Sequence, residues 1–174
     1  MFHDSATRRY LVPEMIPLGW FHTIMGIVAL VTGAATLYAH REISLRTRSG
    51  QIYLLTTLIT AATALAIYQR GVFGPAHVLA VAALGALAGG ALAEILKPFG
   101  RWSRQIQAFC FSATLLFHFI PAVTDGLLRL PVGDPFLTSF EHPVMQMSHL
   151  ALVVIFVVGV TIQLRWIGRQ GAPA

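Results

Sequence analysis

Five apolar stretches, residues 17–39, 51–68, 75–96, 105–127 and 143–166, are each delimited by Pro, Gly or charge and are each long enough to cross a bilayer. One crossing of the ~30 Å hydrocarbon core takes about 20 apolar residues. A chain of 174 residues therefore holds four or five crossings joined by short loops, and one bundle rather than two domains. Composition agrees. Hydrophobic residues make up 56% and charged ones 11%, whereas a soluble domain carries roughly a quarter charged residues and can cover itself with a hydrated surface. Helices satisfy their own backbone in lipid, and no ten-residue alternation suggests a barrel. The expected fold is an all-α integral membrane helical bundle with about five transmembrane helices. Residues 1–16 are expected as an exposed or interfacial leader, 17–168 as a single bundle domain, and 169–174 as a cytoplasmic tail. Pro143 suits the first turn of the last helix, having no amide proton to satisfy.

Basic residues orient the bundle. Arg41, Arg46 and Arg48 follow the first stretch; Lys97, Arg101 and Arg104 follow the third; Arg165 and Arg169 close the chain. All fall on one side. The opposite side has Arg8, Arg9, Arg70 and Arg129, mixed with Asp4, Glu14, Asp125, Asp134 and Glu141. The positive-inside rule places the N-terminus outside and the C-terminus in the cytoplasm of a bacterial-type inner membrane. This distribution accounts for a pI near 10.1 as topology, so nucleic acid is not an expected partner. The expected partners are the lipid bilayer and other membrane subunits or further copies of the chain.

Several chemistries are excluded. Cys110 is the single cysteine, so there is no intrachain disulfide and no CxxC pair. There is no P-loop, GxGxxG or HExxH. Without a nucleophile and base pair, an enzyme is not expected. Arg8-Arg9 faintly resembles a twin-arginine signal, but Pro13 and Glu14 follow and the apolar run exceeds that of a signal peptide.

The seven histidines carry the functional signal. His40 falls at the cytoplasmic end, and His3 and His142 fall in outer segments. His22, His77, His118 and His149 fall in four different helices, in one layer: about 4 to 9 Å inside the outer boundary, and about 10 to 15 Å for His118. His22 shares a face with Gly26, Ala29 and Gly33, small residues that let membrane helices approach. Gln107, Thr114, His118 and Asp125 form a polar stripe on a Phe-rich helix, with Pro121 expected to loosen the turn after His118. His142, Met145 and His149 share a face of the last helix. In the third helix His77 lies over Val81, Leu84 and Ala88, and Gly85-x-x-x-Gly89 is expected to pack against a neighbour.

Ionisable residues inside a span usually belong to a site or pathway. Neutral imidazole ligates haem iron, Zn and Cu, and bundle cores are where facing helices supply such ligands. The candidate metal ligands are His22, His77, His118 and His149. The candidate cofactor-binding set is His118, His22 and Asp125, with Asp125 expected to orient the His118 ring or accept a proton. The expected cofactor is haem b or one Cu or Zn ion near the outer face. Met145, Met147 and His149 suit soft Cu(I), although Met147 points away from the other two. Simpler roles stand beside these. Histidines near an interface bond to carbonyls or headgroups. Tyr53, Thr56, Thr60 and Thr63 form one face of the second helix, suited to packing, and Glu94 is expected to neutralise Lys97.

Gly50-Gln-Ile-Tyr53, Gly71-Val-Phe-Gly-Pro-Ala-His77, and Phe117-His-Phe-Ile-Pro121 with Thr124-Asp125 and Arg129-Leu-Pro131 resemble segments of an uncharacterised prokaryotic family of predicted membrane proteins, domain of unknown function 2306. The resemblance covers residues 19–131. It implies a small helical integral membrane protein, adds weight to His77 and His118, and supplies no activity. The chain departs from the family in having Arg46 where members often show a histidine ahead of the Gly-x-Ile-Tyr segment.

Three functions compete. The first expectation is a membrane redox or metal-binding protein with its site in the outer leaflet. The second is a non-catalytic accessory or assembly subunit whose histidines only tie helices together. The third is a proton-coupled small-molecule transporter. Topology is testable ahead of function: reporter fusions after Arg48, Arg104 and Ala174 should read cytoplasm, and fusions after Gly71 and Asp134 the outside. Consistent reversal would move the histidine layer to the cytoplasmic leaflet.

Overall fold

The structure is a computed structural model that describes residues 16–67 and 73–170. The leader expected over 1–16, with His3, lies outside the described residues but for its last position, as do Tyr68, Gly71 and the end of the tail. Among the described residues the fold is all-helical: α1 Pro17–His40, α2 Arg48–Ala66, α3 Pro75–Ile95, α4 Ser103–Arg129 and α5 Pro143–Gln170. Each is long and apolar enough to cross a membrane. α4 gains residues at both ends over its expected span, and α5 continues through Arg169, so the helix enters what was expected as tail.

Local chemistry sets the helix ends. Proline occupies the first turn of α1 and of α3, where a missing amide proton costs nothing. Thr47 caps α2 by accepting from the Gly50 amide at 3.1 Å. α1 stops at Arg41, whose left-handed backbone (φ 62°) lets its amide donate to the Leu37 carbonyl. Pro121 sits inside α4 without ending it, and the helix is tied to α2 through His118 before it and to α5 through Thr124 after it.

Helices α1, α2, α3 and α4 form a closed ring in chain order, and α5 packs along α4 on its outside. The short connections make sequential helices antiparallel, so α2 and α4 run parallel across the ring. The core between them holds Ala29, Ile43, Tyr53, Leu54, Phe111 and Leu115. Gly33 and Gly90 permit close approach between helices. A Cβ at Gly33 would stand 2.7 Å from the Tyr53 ring, and one at Gly90 would collide with the Phe111 ring. The second point corrects an expectation. The close contact of α3 falls on Gly90, whereas a Cβ at Gly85 would meet nothing within 4 Å and one at Gly89 would make only ordinary contact with Cys110. Of the Gly-x-x-x-Gly pair, Gly89 packs against α4 in ordinary contact and Gly85 packs against nothing.

The packing yields a direct comparison. Gly90→Leu should cost about 1–3 kcal/mol by overpacking against Phe111, and Gly85→Leu should stay within about 0.5 kcal/mol of wild type. The thermal unfolding midpoint of detergent-solubilised protein reads both.

Candidate functional site

Among the described residues, one end of the bundle carries the histidines except His40, and the other carries most of the arginines. The histidine end is organised by α2. Thr56, Thr60 and Thr63 donate to carbonyls one turn back in their own helix, at 2.7 to 2.8 Å. Their hydroxyl protons are thereby spent, and their oxygens remain acceptors. His22 of α1 uses this. Its Nδ1 lies 3.0 Å from both the Thr60 carbonyl and Thr63 Oγ1. A carbonyl can only accept, so His22 carries its proton on Nδ1 and donates to both. The small-residue face of α1 makes the approach possible, with Gly26 over the Thr60 methyl and Ala29 fully buried.

His118 reaches α2 from the opposite side of the ring. Its Nε2 shares a 3.0 Å hydrogen bond with Thr57 Oγ1. One turn earlier on both helices the Tyr53 hydroxyl bonds to Thr114 Oγ1 at 2.5 Å, and because Thr114 donates to the Phe111 carbonyl, the tyrosine is the donor. The two bonds repeat at the same four-residue step on α2 and α4 because the helices run parallel. Long side chains, Tyr and His, span the diagonal. His118 is buried and lies edge-on to the Tyr53 ring, with centroids 6.3 Å apart.

The other two candidate ligands face elsewhere. His77 accepts the Gly74 amide on Nδ1 at 3.1 Å and stacks on Phe73. That bond caps the first turn of α3 and occupies the lone pair that a metal would need at Nδ1. His149 lies 2.8 Å from Thr124 Oγ1 through Nε2, and Thr124 gives its own proton to the Ile120 carbonyl. His149 is therefore the donor and ties α5 to α4. Asp125 pairs with Arg129 at 3.1 Å on an exposed stretch of α4, while His118 bonds to Thr57, so the carboxylate does not orient that ring. Met145 is core and Met147 exposed, which separates the Met-x-Met-x-His string. His40 is exposed at the opposite end, and His142 is exposed at the start of α5, accepting the Val144 amide. Among the described residues, no three His, Cys, Asp or Glu side chains come together as a metal-binding group. The structure draws His22 and His118 to successive turns of α2, and leaves His77 and His149 outside that grouping.

The arginine end holds a second cluster, unforeseen in the sequence. The connection between α1 and α2 folds inward and buries Ile43 completely. Its polar groups are met from three other helices. Gln107 of α4 donates to the Ile43 carbonyl at 2.7 Å, and Gln163 of α5 donates to the Arg41 carbonyl at 2.8 Å. Glu94 of α3, buried, accepts the Ser44 hydroxyl at 2.5 Å and the Leu45 amide at 3.0 Å. Arg46, at 3.7 Å, is its cationic neighbour in place of the expected Lys97. Arg104 grips Glu42 through two bonds of 2.9 and 3.0 Å, the planar fork that matches a carboxylate. A buried Glu and two buried Gln on otherwise apolar helices were the available signal. Their target, the backbone of residues 41–45, has no side-chain signature.

These contacts make the loop testable. Gln107→Leu leaves a buried carbonyl without its donor and should cost about 1–3 kcal/mol. Limited trypsin digestion should then cut faster at Arg46 and Arg48 than in wild type. Unchanged cleavage and an unchanged melting midpoint would mean that Gln107 does not hold the loop.

No family model matches the chain, and neither a curated protein nor a solved structure is significantly similar to it.

Proposed function

We propose that the chain is a small multi-pass membrane protein acting as a non-catalytic accessory or assembly subunit, in which the intramembrane histidines tie helices together. The observation that carries this reading is the set of histidine partners. His22, His118 and His149 each bond to a threonine of a neighbouring helix, and His77 caps its own. Ligands for one ion would converge, whereas His77 and His149 stand apart from each other and from the His22 and His118 grouping on α2. The split of basic residues supports an inner-membrane placement with the N-terminus outside. The family resemblance over residues 19–131 is compatible with the same reading and adds no activity to it.

A second reading rests on one specific observation. His22 donates through Nδ1 and, when neutral, keeps the Nε2 lone pair, the atom that ligates haem iron or Zn. His118 stands within one or two turns of it along α2. A haem b, or a Cu or Zn ion completing its ligand set from outside the described residues, is the alternative occupant of this end.

One purification separates the two. Wild-type protein in mild detergent, incubated with haem, Cu or Zn and then separated from the excess by gel filtration, should carry neither stoichiometric haem nor stoichiometric metal, and should retain a protein partner. His118→Ala and Thr57→Val should each lower stability by about 0.6 kcal/mol, the average for such bonds between membrane helices. A chromophore or metal present in wild type and lost in His118→Ala, with His40→Ala unaffected, would overturn the accessory reading in favour of the second.

A further inference from the structure

Helix α5 packs along α4 but not along α1. It meets the end of α1 where Gln163 bonds to the Arg41 carbonyl. Between α1 and α5, floored by α4, lies a cleft of about 580 Å³ whose walls include Leu37, Leu115, Phe119, Ile155 and Val160. The α5 wall extends from Leu152 to Trp166, about 21 Å of helix against ~15 Å for one leaflet of the hydrocarbon core. A complete acyl chain fits that length.

The polar groups of the cleft collect at its arginine end: Arg41, Ser112, Gln163 and Trp166. Two of them are occupied within the protein. Ser112 donates to Gln163 Oε1 at 2.8 Å, and Gln163 donates to the Arg41 carbonyl. The two guanidinium groups over the Trp166 ring, from Arg41 and Arg104, each lie 5.6 Å from its centroid. Arg104 is neutralised by Glu42. Arg41 is not among the described residues' ion pairs. An apolar channel thus ends at an unmatched cation, the order of groups that an anionic lipid presents in reverse.

We propose that this cleft holds an acyl chain of an anionic phospholipid, with the headgroup phosphate on Arg41. The proposal rests on the reading that the five helices cross a bilayer. Lipid tails are as apolar as the cleft walls, so the walls alone discriminate nothing. Selectivity comes from net charge at Arg41: both kinds of lipid offer a phosphate, but a zwitterionic headgroup brings its own cation beside the guanidinium, whereas an anionic one does not.

The test is native mass spectrometry of the full chain, released from detergent in the presence of phosphatidylglycerol or phosphatidylcholine with identical acyl chains. Wild type should retain the anionic lipid about tenfold better, as expected for one charge-assisted pair. Arg41→Gly should bring the two lipids to parity. It removes the charge but suits the left-handed backbone at this helix end, so the fold is kept. Gly159→Leu, at a position where a Cβ meets nothing within 4 Å, should fill the cleft and weaken retention of both lipids. Equal retention by wild type, or a preference that survives Arg41→Gly, overturns the proposal. So does a wild-type dimer that Gly159→Leu turns into monomer with lipid retention unchanged, since a second copy then occupies the cleft. Failure of the membrane reading is separately visible, as protein that stays soluble without detergent.

Discussion

The architecture depends on satisfying the backbone of one irregular segment in apolar surroundings. Between α1 and α2 the chain leaves the helical ladder, and Ile43 carries it into the interior. Carbonyls and amides buried there have no water to turn to, and each one left unpaired costs about 1–3 kcal/mol. Gln107, Gln163 and Glu94 answer from three different helices. These bonds also fix where α3, α4 and α5 stand around the α1–α2 hairpin. Glu94 is tolerated as a buried carboxylate because it accepts from a hydroxyl and an amide and has Arg46 nearby. Gly50 belongs to the same arrangement, since any Cβ there would collide with the Ser44 carbonyl.

The opposite end is held by side chains acting on intact helices. Thr63 of α2 spends its proton on a carbonyl of its own helix and presents its hydroxyl oxygen, beside the Thr60 carbonyl, to His22, while Thr57 meets His118. This turns the polar face of α2 into a row of acceptors. Tyr53 and His118 bridge α2 to α4 across the ring at matching steps. Individually such bonds are weak between membrane helices. Their value is in register: dispersion packing between apolar faces changes little when a helix slides by part of a turn, whereas two bonds spaced one turn apart are lost together.

The fifth helix stands apart from this closed ring. It is anchored by Gln163 near one end and by the His149–Thr124 bond near the other, with Phe109 against Phe156 between them. One-sided packing leaves much of its apolar surface facing outward, as in Leu150 and Val158. Its separation from α1 creates the cleft, and the same geometry sets Arg41 beside Trp166 at the mouth.

Much of the fold was legible in the sequence. Five runs of apolar residues with Pro, Gly or charge at their edges define five helices, because spanning length and backbone satisfaction leave a chain of this composition no other structure. The small-residue face at His22 and the buried part of the Gln107, Thr114 and His118 stripe were equally readable, since helical periodicity alone says which residues share a face. Facing was not. Asp125 continues the stripe in sequence but stands in the open beside Arg129, and His77 turns back on its own helix. Gly90, not Gly85, takes the close contact. A helix surface offers several faces of similar polarity, and which one turns inward depends on neighbours that are distant in sequence. Length, hydropathy and periodicity are local properties, so the sequence by itself determined the number, extent and type of the helices. The partners of Glu94, His22 and His118 were decided only by tertiary structure, because a hydrogen bond is settled by where two atoms meet.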